Sequence, residues 1–273
     1  MMTGDAPRNW RLVLGLKNMA DQNRDLGDFT AQARAYAKAR PGYPEDIVRK
    51  LLGRAGVRPG DCVVDIGAGT GLFTGLLSGR GFGVIAIEPN AAMRKEAPPV
   101  PGVRWRDGTF EVTGLPDNSA DWVVAAQAFH WADPARALPE IDRILKPGKA
   151  FSILWNDRRM DRSELLMEID AILRDSAPAF DERYRADTDW SRVLVQTGDF
   201  HGVQTDQTDH VVRMQAERFL DLWKSHNRLS VSVGPGGMRN LSARIADCLS
   251  RQGADWVDVH YTTRAWTAWS TKK

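Results

Sequence analysis

The chain has 273 residues, 42% hydrophobic and 26% charged, with 37 basic residues against 35 acidic ones and a formal net charge of +2. Such totals suit a globular protein large enough for one elaborated α/β domain, and the even charge argues against a broad nucleic-acid-binding face. No apolar run approaches the ~20 residues that cross a bilayer, so no membrane partner is expected. Cys62 and Cys248 stand too far apart, without ligand neighbours, for a disulfide framework or a zinc site; two reduced thiols fit a cytoplasmic protein.

Residues 1–28 read as a polar N-terminal extension, with a second plausible start at Met19 that sets 1–18 apart. The alanine-rich stretch 30–39 predicts a helix, broken by Arg40-Pro41-Gly42-Tyr43-Pro44, after which Pro44 opens another helix with Ile47, Leu51 and Leu52 on one face. Cys62–Ile66 is a short apolar run that predicts a buried strand, and Leu72, Phe73, Leu76 and Leu77 begin a helix. The alternation then repeats. Strands are expected at Gly83–Glu88, Val103–Arg106, Trp122–Ala126 and Ala150–Trp155, with a helix over Pro134–Leu145 closed by Lys146-Pro147-Gly148. This rhythm predicts an α/β fold with a Rossmann-like, mostly parallel sheet and helices on both faces.

Beyond Asn156 the pattern changes. Residues 157–188 are highly charged and contain an amphipathic helix through Leu165, Leu166, Ile169 and Ile172, followed by a helix over Trp190–Thr197. Residues 215–229 and 236–251 predict two helices around the breaker Val233-Gly234-Pro235-Gly236-Gly237. Residues 200–214 and 254–270 are expected to close the sheet as its last two strands, making seven. The division that follows is a cofactor-binding core over 29–156, a helical cap over 157–188 and 215–251, and the closing strands.

The chemistry begins in the turn after the first strand, Asp65-Ile66-Gly67-Ala68-Gly69-Thr70-Gly71. Glycines there let a ligand approach the backbone at the carboxyl end of the sheet, where open parallel sheets bind their ligands. The spacing is G-x-G-x-G, whereas the dinucleotide fingerprint is G-x-G-x-x-G. An acid two residues before the first glycine suits a ligand with an ammonium group better than one with a pyrophosphate. Glu88 ends the second strand, where a carboxylate can accept both hydroxyls of a ribose; as a bare helix-capping acid before Pro89 it would also be unexceptional.

These residues resemble the class I S-adenosylmethionine-dependent methyltransferases, in particular the small-molecule branch of type 11 and trans-aconitate methyltransferase-like enzymes. Besides the glycine turn, the resemblance rests on Glu88–Met93, on Gly108–Glu111 with Leu115–Asp121, on Gln127–Trp131, and on Phe29, Tyr36, Arg40-Pro41 and Tyr43-Pro44 in an N-terminal approach helix. It implies S-adenosyl-L-methionine as cofactor and a site made of Tyr36, Arg40, Asp65, Gly67, Ala68, Gly69, Gly71, Glu88, Met93, Thr109, Phe110 and Gln127. By this resemblance Gly67 and Gly69 lie against the methionine part, Glu88 holds the ribose and Met93 packs beside it. Thr109 and Phe110 meet the adenine edge through backbone groups, Gln127 lies beneath the sulfonium, and Tyr36 and Arg40 close over the carboxylate. The branch often has a small residue where Phe110 stands.

The implied reaction is methyl transfer to a small organic molecule, at a carboxyl or hydroxyl oxygen, driven by alignment. His130 lies just past the fourth strand and is the candidate base for a hydroxyl acceptor, although a packing role explains it equally well. His226 is a weaker candidate on the cap side. No metal is expected. An Asn-Pro-Pro-Tyr-like motif is absent after the fourth strand, which disfavours the exocyclic amines of nucleic-acid bases. The alternatives are an NAD(P)-dependent oxidoreductase, disfavoured by the glycine spacing, and a non-catalytic module that binds S-adenosylmethionine without turnover.

Overall fold

The computed structural model describes residues 30, 33–178, 180 and 187–273. The expected N-terminal extension over 1–28, Phe29 and part of the segment 157–188 lie outside the described residues. Helices α1 (Ala33–Ala39) and α2 (Glu45–Ala55) lead into β1 (Cys62–Ile66), α3 (Leu72–Leu77), β2 (Gly83–Ile87), α4 (Ala91–Glu96), β3 (Val103–Arg106) and β4 (Ala120–Ala126). A single 3-10 turn at Phe129–Trp131 precedes α5 (Pro134–Ile144) and β5 (Leu145–Arg158). Then come α6 (Glu164–Ser176), α7 (Trp190–Val195), β6 (Phe200–Gln215), α8 (Ala216–Lys224), α9 (Asn227–Arg251) and β7 (Trp256–Ser270).

The seven strands form one sheet in the order β3-β2-β1-β4-β5-β7-β6. β1 to β5 pair in parallel, and β7 runs antiparallel to both β5 and β6. Strand order reverses between β1 and β4, so the crevice outside their carboxyl ends is the position this topology offers a ligand. Alternate residues of each strand feed two cores. Ile47, Val48, Leu51, Phe73 and Leu77 of α2 and α3 cover one face, together with Val63, Trp122 and Leu154. Leu138, Ile141 and Ile144 of α5 and Val193 and Leu194 of α7 cover the other, with Ile66, Phe151 and Trp155.

A third core sits beyond the sheet ends. α6 contributes Leu166, Ile169 and Leu173, α8 contributes Phe219, Leu222 and Trp223, and α9 contributes Leu241, Ile245 and Leu249; all pack on Val257, Val259 and Tyr261 of β7. The expected helical cap is therefore two insertions, one after β5 and one between β6 and β7, buried against each other.

Two boundaries differ from expectation. β5 begins at Leu145, which pairs with Ala120, and residues 146–149 bulge out before pairing resumes at Ala150 opposite Trp122. The Lys-Pro-Gly turn lies inside the strand because Asp121 Oδ2 binds Lys146 Nζ at 2.7 Å and its Oδ1 binds Lys149 Nζ at 3.4 Å, clamping the bulge to β4. In the cap, one break falls at Ser225-His226, and the expected breaker makes a second, at Gly234, whose non-helical backbone (φ 66°, ψ 176°) divides α9 into two helical stretches. Ser225 Oγ donates to Leu222 O at 2.6 Å and accepts from Arg40 Nε at 3.1 Å, a tertiary tie that ends α8 early.

A buried polar chain crosses three strands under the crevice. Trp122 Nε1 donates to Ser152 Oγ at 3.0 Å, and Ser152 Oγ lies 2.8 Å from Thr267 Oγ1, with all three residues inaccessible to solvent. Losing one member strands the polar atoms of the others. Ser152→Ala is expected to lower the unfolding free energy by about 1–3 kcal/mol in urea titrations, and adding Trp122→Phe and Thr267→Val should recover most of that loss.

Candidate active site

The turn after β1 is folded onto the end of β2. The N–H groups of Gly67 and Ala68 both donate to Ile87 O, at 2.8 and 3.0 Å, Gly71 N–H donates to Ala68 O at 2.9 Å, and Gly69 N–H donates to Glu88 Oε2 at 2.9 Å. A phosphate-binding turn aims such donors at its ligand; here they are spent inside the protein, which disfavours a pyrophosphate cofactor. Gly67 (φ 69°) admits no side chain, because a Cβ there would stand 2.5 Å from Ala128 Cβ and 3.3 Å from the Phe110 ring. A Cβ on Gly69 (φ 58°) would meet the Met93 methyl at 3.4 Å.

Glu88 is nearly buried, and its second oxygen, Oε1, accepts Asn90 N–H at 2.9 Å. Asn90 in turn caps α4, accepting from Ala92 N–H and Met93 N–H. Burial raises the Glu88 pKa above the usual carboxylate range, against the opposing pull of the Asn90 and Gly69 N–H groups. Asp65 lies at the end of β1, 1% exposed. Its Oδ2 accepts from Thr74 Oγ1 at 2.6 Å, while its Oδ1 and the neighbouring Thr70 Oγ1 are buried without a hydrogen-bond partner. Burial, and after it the Thr74 bond acting in opposition and the nearby charge of Glu88, leave the Asp65 carboxyl pushed up to about 7. A buried carboxylate short of a donor is the complement of a ligand ammonium group.

Beside this turn opens a cavity of about 880 Å³ between α1, the carboxyl ends of β4 and β5, the amino-terminal half of β7, and the cap helices α6 and α8. Gln127 forms part of its wall and holds a left-handed backbone (φ 60°) that non-glycine residues seldom adopt. Two bonds to β5 sustain it: Gln127 N–H donates to Leu154 O at 2.8 Å, and Nε2 donates to Asn156 O at 3.2 Å. Asn156 ties the wall to the N-terminal approach, since its Nδ2 donates to Gly42 O at 3.0 Å while its Oδ1 accepts from Thr263 Oγ1 at 2.6 Å. Tyr36 and Arg40 also line the cavity, with the guanidinium 4.9 Å over the Tyr36 ring.

The residues singled out from the sequence thus fall into two adjoining groups. Asp65, Gly67, Ala68, Gly69, Gly71, Glu88 and Met93 surround the glycine turn; Tyr36, Arg40 and Gln127 line the cavity. Thr109, Phe110 and His130 complete the set. Thr109 N–H donates to Val112 O at 2.9 Å, so that donor is spent within its own turn. Phe110 is buried edge-on to Phe129, with ring centroids 5.5 Å apart, and serves the core behind Gly67. His130 is absent from the cavity wall, and its Nδ1 accepts Trp155 Nε1–H at 3.4 Å, which puts the ring proton on Nε2 in the neutral tautomer. His226 is buried at the start of α9, its Nε2 2.5 Å from Arg158 Nη2. Asn156, Arg158, Trp223 and Tyr261 complete the wall without having been singled out. Among the described residues no cluster of three or more His, Cys, Asp or Glu could hold a metal, and no helix is long and apolar enough to cross a membrane.

Sheet order and the glycine turn at the switch point, with its two acids, define a Rossmann-like domain. Comparison with known proteins agrees. Residues 64–153 match the methyltransferase domain family. The chain is 39% identical over 169 residues to an uncharacterized methyltransferase of Mycobacterium tuberculosis, the match covering 60% of this chain and 66% of the relative; the chain thus spans just under two thirds of that curated protein's length. A solved structure from Anaeromyxobacter dehalogenans, assigned as a type II methyltransferase, shares the fold with a TM-score of 0.61 at 24% identity, covering 85% of this chain and 98% of the other. Phosphoethanolamine N-methyltransferase 2 of Haemonchus contortus, solved with S-adenosyl-L-methionine, shares it with a TM-score of 0.51 at 16% identity, over 94% of this chain and 61% of the other. Residues 64–153 thus carry a methyltransferase domain, on a fold shared with solved methyltransferases.

The raised Asp65 carboxyl has a pH signature. A carboxyl whose folded-state pKa exceeds its unfolded value contributes stability that is complete below pH ~4 and lost as pH rises through about 7. Asp65→Asn removes that burden and is expected to raise Tm of the ligand-free protein at pH 8, each kcal/mol relieved being worth roughly 2–4 °C at this chain size, while leaving Tm at pH 4 nearly unchanged. Scanning calorimetry at the two pH values checks this.

Proposed function

We propose that the protein transfers a methyl group from S-adenosyl-L-methionine to a small organic molecule, at a carboxyl or hydroxyl oxygen, and that the cavity between the crevice and the cap receives the acceptor. The observation that carries the reading is the pairing of an underfilled Asp65 carboxylate and a backbone-oriented Glu88 with a glycine turn whose N–H groups face inward. A cofactor with an ammonium group and a ribose, and without phosphates, fits those residues; NAD(P) does not. When bound, the cofactor supplies a methyl on a cationic sulfur, so attack by an acceptor oxygen forms the O–CH3 bond and leaves a neutral thioether.

The protein's part is alignment. Asp65 would take the ammonium group, and Glu88 both ribose hydroxyls, its carboxylate already oriented by Gly69 and Asn90 N–H. Gln127, fixed by two bonds to β5, would mark the junction between cofactor and acceptor. Tyr36 and Arg40 would close that junction from α1, and Arg40 is already tied to Ser225 of the cap. Holding two reactants in contact geometry supplies up to ~7–11 kcal/mol of the barrier, so no strong base is needed for a carboxylate acceptor. With its Nδ1 on Trp155, His130 is assigned to holding the wall and not to proton transfer.

Titration calorimetry with S-adenosylhomocysteine tests the reading. Wild type is expected to bind it and to show no heat with NAD or NADP. Glu88→Gln should bind it about 10–100-fold more weakly, the loss for a charged hydrogen-bond acceptor. Absence of heat from S-adenosylhomocysteine with folded wild type would overturn the proposal.

A further inference from the structure

Past the end of β4 the sheet changes partners, and one residue of β5 takes up the change. β4 stops at Ala126, opposite Leu154, whereas β5 runs on to Arg158 in pairing with β7. The carbonyls of Leu154 and Asn156 face the edge that β4 has vacated, and buried backbone acceptors need donors. Gln127 supplies both, Leu154 O taking its backbone N–H at 2.8 Å and Asn156 O its side-chain Nε2 at 3.2 Å. The left-handed turn at Gln127 (φ 60°) brings the two donors to that one edge.

The side chain of Asn156 works in another direction. The residue is buried and stands opposite Thr263 of β7, and directly opposed residues share a face of the sheet. Thr263 Oγ1 donates to Asn156 Oδ1 at 2.6 Å, which orients the amide and leaves Nδ2 on Gly42 O, 3.0 Å away. Gly42 lies in the middle of segment 40–44, which joins α1 to α2. On one side of it Arg40 Nε donates to Ser225 Oγ of the cap at 3.1 Å; on the other the Tyr43 ring packs edge-on to Phe73 of α3, with centroids 5.2 Å apart. Between these anchors the Asn156 amide ties the segment to β5. One residue thereby sets two borders of the junction: its carbonyl holds Gln127, and its amide holds the segment that follows Tyr36 and Arg40.

Resting on the proposed function, we propose that Asn156 is a positioning residue for methyl transfer: by donating to Gly42 O it holds the approach segment closed over the cofactor, beside the point where Gln127 marks the junction with the acceptor. Its action runs through Gly42 and Gln127.

Titration of S-adenosylhomocysteine into full-length wild type, Asn156→Ala and Asn156→Asp, each at pH 8 and pH 5.5, tests this. Ratios to wild type at the same pH cancel the titration of Asp65. Asn156→Ala has no donor and is expected to bind about 10-fold more weakly than wild type at both pH values. Asn156→Asp offers Gly42 O a second acceptor at pH 8 and should lose at least as much. At pH 5.5 it should recover most of that loss, because a carboxyl buried at that position is then protonated and donates again. A purely structural role lowers Tm without this recovery, and an effect of the added charge alone leaves Asn156→Ala at wild-type affinity. Hydrogen exchange on wild type gives a readout that needs no variant: S-adenosylhomocysteine should slow amide exchange across residues 36–43. Against the inference would stand wild-type affinity in Asn156→Ala, no recovery of folded Asn156→Asp at pH 5.5, or unchanged exchange over 36–43. No heat from S-adenosylhomocysteine with folded wild type removes the proposed function, whereas binding accompanied by any of those three results removes only the role of Asn156.

Discussion

The carboxylate of Glu88 holds the crevice together. One oxygen takes Gly69 N–H from the turn after β1 and the other takes Asn90 N–H from the start of α4, so a single side chain locks two successive βα connections across adjacent strands. Through Asn90 the lock extends to the first turn of α4 and to Met93, whose methyl lies against Gly69. The arrangement requires a carboxylate with little solvent around it, and its cost shows in the raised pKa of Glu88 and of Asp65 beside it. Two acids crowded at one end of a sheet burden the empty protein. On the proposed function a cationic nucleoside would offset that burden, and the residues that weaken the fold would strengthen the complex.

The cap answers a different constraint. β6 and β7 are long, at 16 and 15 residues, and run past the ends of the parallel strands. Their projecting part would leave an apolar face in water without α6, α8 and α9, whose buried leucines and isoleucines build a core separate from the two that flank the sheet. The cavity lies where this core meets the crevice. It is bridged by few polar ties, chief among them Arg40 to Ser225 and Asn156 to Gly42. The helix that approaches the glycine turn is thereby attached to the cap and to β5 at once.

Much of the core was legible because its signals are local. Apolar runs punctuated by glycine and acid placed β1, β2 and β4, and the offset between Gly71 and Glu88 brought the two acids to neighbouring strand ends. Where the reading departed from the structure, a distant partner had overruled a local preference. Lys146-Pro147-Gly148 has turn chemistry, yet Asp121 holds it as a bulge within β5. Ser225-His226 carries no breaker, yet a helix ends there with Ser225 tied to Arg40, in addition to the expected break at Gly234. Phe110 packs edge-on to Phe129 behind Gly67, and His130 accepts a bond from Trp155, contacts that no local signal announces. Asn156, Arg158, Trp223 and Tyr261 carry no motif. They come from β5, α8 and β7 and share a wall only once the antiparallel strand and the cap are in place.

The two ends of the site are opposite in charge, and their separation gives the fold a directional logic. Asp65 and Glu88 make the glycine turn acidic, and the arginines of β5, α6, β7 and the approach segment make the cap side basic. In a partly enclosed space such a gradient orients a zwitterion without close contacts along its length. On the proposed function, a nucleoside bearing an ammonium group would settle with its positive end at Asp65 and its carboxylate toward Arg40. Gln127, held in a left-handed backbone by β5, would on that reading stand at the junction of cofactor and acceptor, fixed there by the sheet and not by either ligand.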